Sequence, residues 1–299
     1  MPFKAGDILF APANIAPLFV PKSRKLVITI HDVAFLTYPQ SFSKFFRFYY
    51  RWLMPKVIKR ADRIITISEA SKKEIIKYYP QASEKIGVVY LGLDARYTVK
   101  KDIEKEKIIL YVGSLNERKN FSAVIRAFEL LERDDYRLFI VGNFSGNFSI
   151  SEQNRKLLER AKKNPMIEFK SDVNDSKLIR FYNQAKIFLF PSFYEGFGLP
   201  PLEAMACGTP VIVSYLSSMP EVCGDAALYA DPYDINDISK KMQMLLEDKL
   251  LQKEMAERGL EYVKRFTWEK AAKKHMEVFE KVSKYRVRQN GQRDNRQQY

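Results

Sequence analysis

Residues 195–210 read Glu-Gly-Phe-Gly-Leu-Pro-Pro-Leu-Glu-Ala-Met-Ala-Cys-Gly-Thr-Pro, soon after the apolar run Ile187–Phe190 and Pro191. The apolar run predicts a buried strand that stops at the proline. Gly196 and Gly198 free the backbone for a bend, and Pro200 or Pro201 suits the first position of a helix, where no N–H is missed. Strand, glycine-rich bend and helix start make one βα unit of an open parallel sheet, which binds ligands outside the carboxyl ends of its strands. The N–H groups of Phe197, Gly198 and Leu199 are therefore expected to form a nest for phosphate or hydroxyl oxygens. Two carboxylates bracket the bend. Glu195 precedes it and Glu203 follows eight positions later on the helix, so that each can accept from its own diol, one on a sugar and one on a ribose. Taken singly, Glu195 reads more readily as a solvated loop charge and Glu203 as a helix-dipole partner; the two together, with this loop between them, favour the polyol site.

A second loop carries charge of the opposite sign. The run Ile108–Val112 predicts a strand, and Gly113-Ser-Leu-Asn-Glu-Arg-Lys-Asn120 leads from it to a helix whose Phe121, Val124, Ile125, Phe128 and Leu131 have the spacing of a core-facing stripe. Arg118 and Lys119 thus stand just before a helix opened by Asn120, where two cations and free N–H groups suit a diphosphate. An Arg-Lys pair alone is more often solvated surface; its place after a strand is what lifts it here.

Beyond these loops the pattern alternates strand and helix in two series, an α/β class. Ile8–Phe10, Leu26–Ile30, Arg63–Ile67 and Ile86–Tyr90 read as strands of a first part, with Ser68 capping a helix that begins at Glu69. A charged linker at Val99–Lys107 separates them from Ile108–Val112, Arg137–Val141, Met166–Phe169, Ile187–Phe190, Val211–Val213 and Ala227–Ala230. Helices are predicted over Asp234–Glu247, Leu250–Val263 and from Trp268 to about Lys284, the last behind Thr267. The domains expected are residues 1–98, residues 99–266, a terminal helix over 267–285 and a basic disordered tail over 286–299.

The run between Pro191 and Val211 resembles the signature of the GT4 glycosyltransferases, a retaining family of GT-B fold rich in bacterial mannosyltransferases and glucosyltransferases. The resemblance extends from about Leu26 to Val282. It implies two Rossmann-like domains facing a cleft, the terminal helix crossing back to the first of them. It also implies that Glu195 holds donor-sugar hydroxyls, Glu203 the ribose, and Lys119 the diphosphate, with Arg118 as second cation because Ser114 stands where many relatives carry Arg. His31, in Ile30-His-Asp32, matches a histidine near the donor sugar, and on that ground is expected to face the cleft and orient a sugar hydroxyl; Asp32 either fixes its tautomer or caps the next segment. Backbone groups around Gly142 and from Lys170 to Val173 would read the base. The catalytic set is then His31, Glu195 and Lys119. Donor and nucleotide contacts add Arg118, Gly142, Val173, Gly196, Phe197, Gly198, Leu199 and Glu203. The implied donor is GDP-mannose or UDP-glucose, without metal or cofactor, and the implied acceptor a glycan or lipid-linked hydroxyl. Because the family's usual first strand and glycine-rich loop have no counterpart here, the first domain is expected to be incomplete. That leaves a sheet edge open to self-association or a partner chain, and a non-catalytic nucleotide-sugar-binding remnant as the alternative reading.

Composition fits these expectations. The chain has 299 residues, 46% of them hydrophobic, and a net charge of +14. Residues 1–98 carry 16 Lys and Arg against 7 Asp and Glu, residues 99–280 carry 28 against 28, and residues 281–299 carry 6 against 1. The part with the phosphate motif is neutral, which argues against a nucleic-acid partner. Much of the surplus lies in Ser41–Arg63, where Phe45, Phe46, Phe48, Tyr49, Tyr50 and Trp52 alternate with Lys44, Arg47, Arg51, Lys56, Lys59 and Arg60. Such a helix either lies on an anionic membrane or packs as a core helix with solvated cations; both readings are open, since one helix can do both. With no apolar run near a membrane span and no signal-peptide core at the N-terminus, a cytoplasmic or peripheral inner-membrane location is expected. Two cysteines, Cys207 and Cys223, exclude a disulfide framework or a cysteine-based zinc site. The second histidine, His275, reads as structural or surface.

Overall fold

A computed structural model describes residues 7–17, 19–21, 23–142 and 151–294, the last eleven of these by their backbone alone. By contacts it divides in two: residues up to Leu36, Lys44–Gly92 and the chain from Phe266 form one unit, and Thr37–Ser43 with Leu93–Arg265 form the other.

The first unit is built on four parallel strands, β1 (Ile8–Ala11), β2 (Lys25–Thr29), β3 (Arg63–Thr66) and β4 (Ile86–Val88), in the order β1-β2-β3-β4. Leu26, Val27, Ile28 and Ile30 are fully buried, as expected of a near-continuous apolar strand covered on both faces. Helix α1 (Lys44–Arg60) links β2 to β3 and buries Leu53, Met54, Val57 and Ile58, so its core-helix reading holds for one face. Helix α2 (Glu69–Tyr78) begins at the expected cap, the Ser68 hydroxyl accepting from Ser71 N at 2.9 Å. The last helix, Trp268–Asp294, lays Ala271 and Val282 against Val27, Ile65 and Val89 of the sheet. Its helical backbone runs through Asp294 rather than stopping near residue 285; Arg and Gln propagate a helix well once a packed face has nucleated it. Residues 295–299 of the expected tail lie outside the described residues. At the start of this helix a Cβ on Gly92 would come within 2.4 Å of Trp268 N, so only glycine allows the approach.

The second unit is a six-stranded parallel sheet: β5 (Ile108–Val112), β6 (Arg137–Val141), β7 (Ile167–Lys170), β8 (Ile187–Phe190), β9 (Val211–Ser214) and β10 (Leu228–Ala230). The order is β10-β9-β8-β5-β6-β7. The chain winds outward from β5 through β6 to β7, then returns to the other side of β5 and winds through β8 and β9 to β10. Its direction of winding thus reverses between β5 and β8. This is the doubly wound Rossmann-like arrangement, and its switch point lies outside the carboxyl ends of those two strands. Helices α3 (Phe121–Leu130), α4 (Glu152–Ala161), α5 (Asp175–Gln184), α6 (Leu199–Ala206), α7 (Ile235–Glu247) and α8 (Lys249–Tyr262) accompany the sheet. The predicted stripe on α3 is buried at Phe121, Val124, Ile125 and Phe128, and joins Ile109, Leu189, Ile212, Ile238 and Met242 in one core. Among the described residues no helix is long and apolar enough to cross a membrane.

Candidate functional site

The two chemically marked loops follow β5 and β8, the strands that flank the switch point. After β5 the chain makes a single 3-10 turn at Glu117–Lys119, with the Asn116 side chain accepting from Arg118 N at 2.9 Å. Lys119 N donates to Asn116 O and Asn120 N to Glu117 O, each at 2.9 Å. The expectation of free N–H groups beside the two cations is corrected here: the turn consumes those of Arg118, Lys119 and Asn120. Asn120 opens α3 without capping it. Its φ is 56°, a left-handed conformation that asparagine tolerates better than most residues, and its Nδ2 donates to Pro191 O at 3.0 Å and Pro232 O at 2.8 Å. That buried amide ties the end of β8 to the loop after β10.

After β8, Glu195 meets the cations of the first loop. Lys119 Nζ lies 2.7 Å from its Oε1 and 2.8 Å from its Oε2, and Arg118 Nη1 lies 3.4 Å from Oε2. Arg118 Nη1 also donates to Tyr194 O, and Phe193 N donates back to Arg118 O at 3.0 Å. Lys119 Nζ stands 5.1 Å from the centre of the Phe190 ring. The three charged side chains are only 15% (Arg118), 17% (Lys119) and 9% (Glu195) exposed, so solvent does little to screen them. Burial by itself pushes the Glu195 carboxyl up, but Lys119 and then Arg118 outweigh it and hold the group below the usual carboxylate range.

The bend is held from outside by serines that the sequence did not single out. Ser217 Oγ donates to Glu195 O at 2.6 Å, and Ser218 Oγ donates to Phe197 O at 2.6 Å. Ser217 adopts a φ of 58° in order to do so. Gly198, at φ 111°, is the residue before α6, and a Cβ there would come within 2.3 Å of Met219 Cε. Helix α6 begins at Leu199, with Pro200 and Pro201 behind it in the first turn. Two of the first three helical residues therefore carry no N–H, so the expected nest has no N–H from the helix itself before Leu202 other than that of Leu199. Gly196 is buried within the same bend.

Glu203, on α6, has surroundings of its own. Tyr182 OH donates to its Oε2 at 2.8 Å. Burial pushes its pKa up to about 7; the Tyr182 bond offsets this only in part, and Asp175 and Asp94 add to the rise. Two carboxylates eight positions apart are thus in different states near neutrality, Glu195 ionised and Glu203 balanced between its two forms. Tyr182 lies on α5, with no local signal connecting it to Glu203.

Of the residues expected to read a base, Gly142 directly follows β6 and its N–H is committed to Lys170 O at 3.1 Å. Val173 is half-buried just before Asn174, whose side chain caps α5 by accepting from Lys177 N at 3.0 Å. Residues 143–150 lie outside the described residues.

His31 belongs to the first unit, two positions beyond β2. Its N–H donates to Asn14 Oδ1 at 2.8 Å, and its Nε2 lies 3.1 Å from Pro12 O. A carbonyl only accepts, so this contact calls for a proton on Nε2. Asp32 takes the capping role of its two alternatives, its Oδ1 accepting from Ala34 N at 2.9 Å. Asn14, on the loop after β1, is a support that no motif announced. His275 is structural: Nδ1 bonds Ala271 O at 2.8 Å and the ring packs edge-on to Phe10. Cys207 and Cys223 are buried thiols, and burial pushes each up to about 12. Among the described residues no three His, Cys, Asp or Glu side chains gather as a metal site.

The chain resembles known proteins along most of its length. Residues 96–262 match the family model described as glycosyl transferases group 1, and residues 7–97 match that of glycosyltransferase family 4. The chain is 33% identical to the O-antigen chain mannosyltransferase B of Escherichia coli over 259 residues, which are 82% of this chain and 67% of the relative. It is 34% identical to the O-antigen chain mannosyltransferase RfbU of Salmonella typhimurium over 72% of this chain and 59% of that one. Among solved structures, sucrose-phosphate synthase from Thermosynechococcus elongatus superposes with a TM-score of 0.71 at 22% identity, covering 87% of this chain and 68% of that one. The Anabaena protein HepE, solved with UDP-glucose, superposes with a TM-score of 0.71 at 18% identity over 87% of this chain and 72% of its own. These two likenesses establish the fold as GT-B.

Proposed function

This chain belongs to the group 1 glycosyl transferases, and we propose that it moves a hexose, mannose before glucose, from a nucleotide diphosphate sugar to a hydroxyl of a glycan or lipid-linked acceptor. The observation that carries this reading is the buried cluster of Lys119, Arg118 and Glu195 at the switch point. Two cations that face a single carboxylate retain one unit of positive charge, which favours an anionic group such as a diphosphate. As the donor enters, Lys119 and Arg118 turn to the diphosphate oxygens and the Glu195 carboxylate accepts from hydroxyls of the sugar. Glu203 accepts from the ribose, and does so best when ionised. We assign His31 the orientation of a sugar hydroxyl.

The transfer breaks the bond between the sugar's anomeric carbon and the diphosphate oxygen, which leaves with the electron pair. The acceptor oxygen bonds that carbon from the same face through an oxocarbenium-like transition state, and its proton passes to the departing phosphate, with retention of configuration. Lys119 and Arg118 stabilise charge that grows on the leaving group in a water-poor site, the kind of term that dominates such barriers. GDP-mannose is the first donor proposed, because the relatives named for O-antigen synthesis are mannosyltransferases; UDP-glucose is the second. No metal or cofactor enters this scheme.

A transfer assay with GDP-mannose, UDP-glucose and UDP-N-acetylglucosamine, run beside binding measurements, tests the proposal. Turnover of one donor, abolished by Glu195→Ala, is the expected result. Binding of a donor with no turnover toward any glycan or lipid-linked acceptor would replace the transferase by a nucleotide-sugar-binding protein.

A further inference from the structure

The side chains of α1 separate into two faces. Leu53, Met54, Val57 and Ile58 are buried. On the opposite side Phe45 is 79% exposed, Phe48 73%, Tyr49 38% and Trp52 47%. Positions 45, 48, 49 and 52 fall on one stripe of a helix, which continues one turn later into Lys56. Lys56 Nζ stands 3.3 Å from the centre of the Trp52 ring, and Lys59, Lys44 and Arg51 are exposed on or beside the stripe. The helix holds six Lys and Arg and no Asp or Glu. Among the described residues only Arg60 of these six is drawn into an ion pair, with Asp62.

Neither half of this pattern serves the fold. Four large aromatic rings in a row on the outside of a helix gain nothing from the core beneath, and a contiguous patch of this kind marks a surface that meets something. Charge decides what it meets. A wholly basic face repels itself and any basic partner but complements a sheet of phosphates. Aromatic rings, moreover, settle at the level of lipid headgroups while lysine stems reach back toward them. We propose that the outer face of α1 is a membrane-binding surface for anionic phospholipid, with Phe45, Phe48, Tyr49 and Trp52 seated at the boundary of headgroups and acyl chains and Lys44, Arg51, Lys56 and Lys59 on the phosphates. The helix lies in the plane of the interface and does not cross it. This inference is independent of which sugar is transferred, because its readout needs no turnover.

The test uses the full chain with Trp268→Phe, which leaves Trp52 the sole tryptophan, and sedimentation with vesicles of phosphatidylcholine alone or containing about one-third phosphatidylglycerol. Expected are co-sedimentation with the anionic vesicles only, weakening with added salt, and a shift of Trp52 emission to shorter wavelength. The double variant Lys56→Gln/Lys59→Gln should lower the partition coefficient roughly 25-fold, about fivefold for each cation removed. Phe48→Ser should abolish the emission shift. All these positions are exposed, and urea unfolding of each variant verifies that it remains folded. Absence of binding to anionic vesicles, or equal binding to neutral ones, overturns the proposal. So does a concentration-dependent dimer, dissolved by Phe48→Ser, with no affinity for vesicles, which would assign the face to a second copy.

Discussion

Lys119 Nζ reaches both carboxylate oxygens of Glu195, at 2.7 and 2.8 Å, across the switch point between β5 and β8. The two residues lie 76 positions apart in the chain. Each comes from a loop that the sheet topology brings to the same carboxyl edge, so the pair depends on the strand order and on nothing local.

Removal of the Glu195 charge should therefore be felt in stability as well as in turnover. Glu195→Gln leaves Lys119 and Arg118 buried without a counter-charge, at an expected cost of about 3 kcal/mol in urea unfolding. Added GDP should recover more stability in this variant than in the parent, since its phosphates replace the missing anion. A loss below about 0.5 kcal/mol would mean that the pair is solvated and that the site is not dry.

Glu203 makes stability and nucleotide binding depend on pH in opposite directions. Its folded pKa, about 7, lies above the ordinary value of 4.5, so between these limits the folded state holds the proton more firmly than the unfolded one. Stability is fully present below pH 4.5 and falls as pH rises through 7, by up to about 3 kcal/mol from this group. Nucleotide affinity rises over the same window, because ribose hydroxyls donate to the ionised form. Glu203→Gln should flatten the stability profile between these values and remove the pH dependence of GDP binding. Paired unfolding and calorimetric series in buffers of different ionisation enthalpy would measure both; unchanged slopes would place the titration elsewhere.

Gly198→Ala tests the bend itself. A left-handed φ of 111° costs a non-glycine residue about 1–2 kcal/mol, and the new Cβ also meets Met219 Cε at 2.3 Å. Met219→Ala in the same chain should relieve the overlap but not the backbone strain. The double variant is accordingly expected to stay about 1–2 kcal/mol below Met219→Ala alone in thermal unfolding. Full recovery would show that the bend has an alternative conformation.

Asn120 separates backbone from bond. Asn120→Gly keeps the φ of 56° but loses both donations, to Pro191 O and Pro232 O, with an expected destabilisation of about 2 kcal/mol. Asn120→Ala should be worse than the glycine variant by about 1 kcal/mol, the cost of the left-handed conformation. Equal losses would leave the conformation without energetic consequence.

Much of this protein is written locally. Parallel strands such as Leu26–Ile30 and Ile187–Phe190 announce themselves as unbroken apolar runs. The stripe on α3 shows in its spacing, the Ser68 cap in one residue type at one place, and the bend at Gly198 in glycine and proline chemistry. These features arise from interactions between residues a few positions apart, and a linear reading reaches that far. The end of the last helix is not legible in this way, because a polar segment gives no apolar period although its residues propagate a helix.

Partners, protonation and N–H satisfaction came from space. Asn14 supports His31, Tyr182 supports Glu203, and Ser217 with Ser218 holds the bend, each from another loop or helix. The 3-10 turn spent the N–H groups of Arg118 and Lys119 that the chain order had left free. Glu195 and Glu203 look alike in the sequence, two carboxylates around one bend. Their different affinities for a proton follow from desolvation and from the charges a few ångströms away, quantities that exist only once the chain has folded.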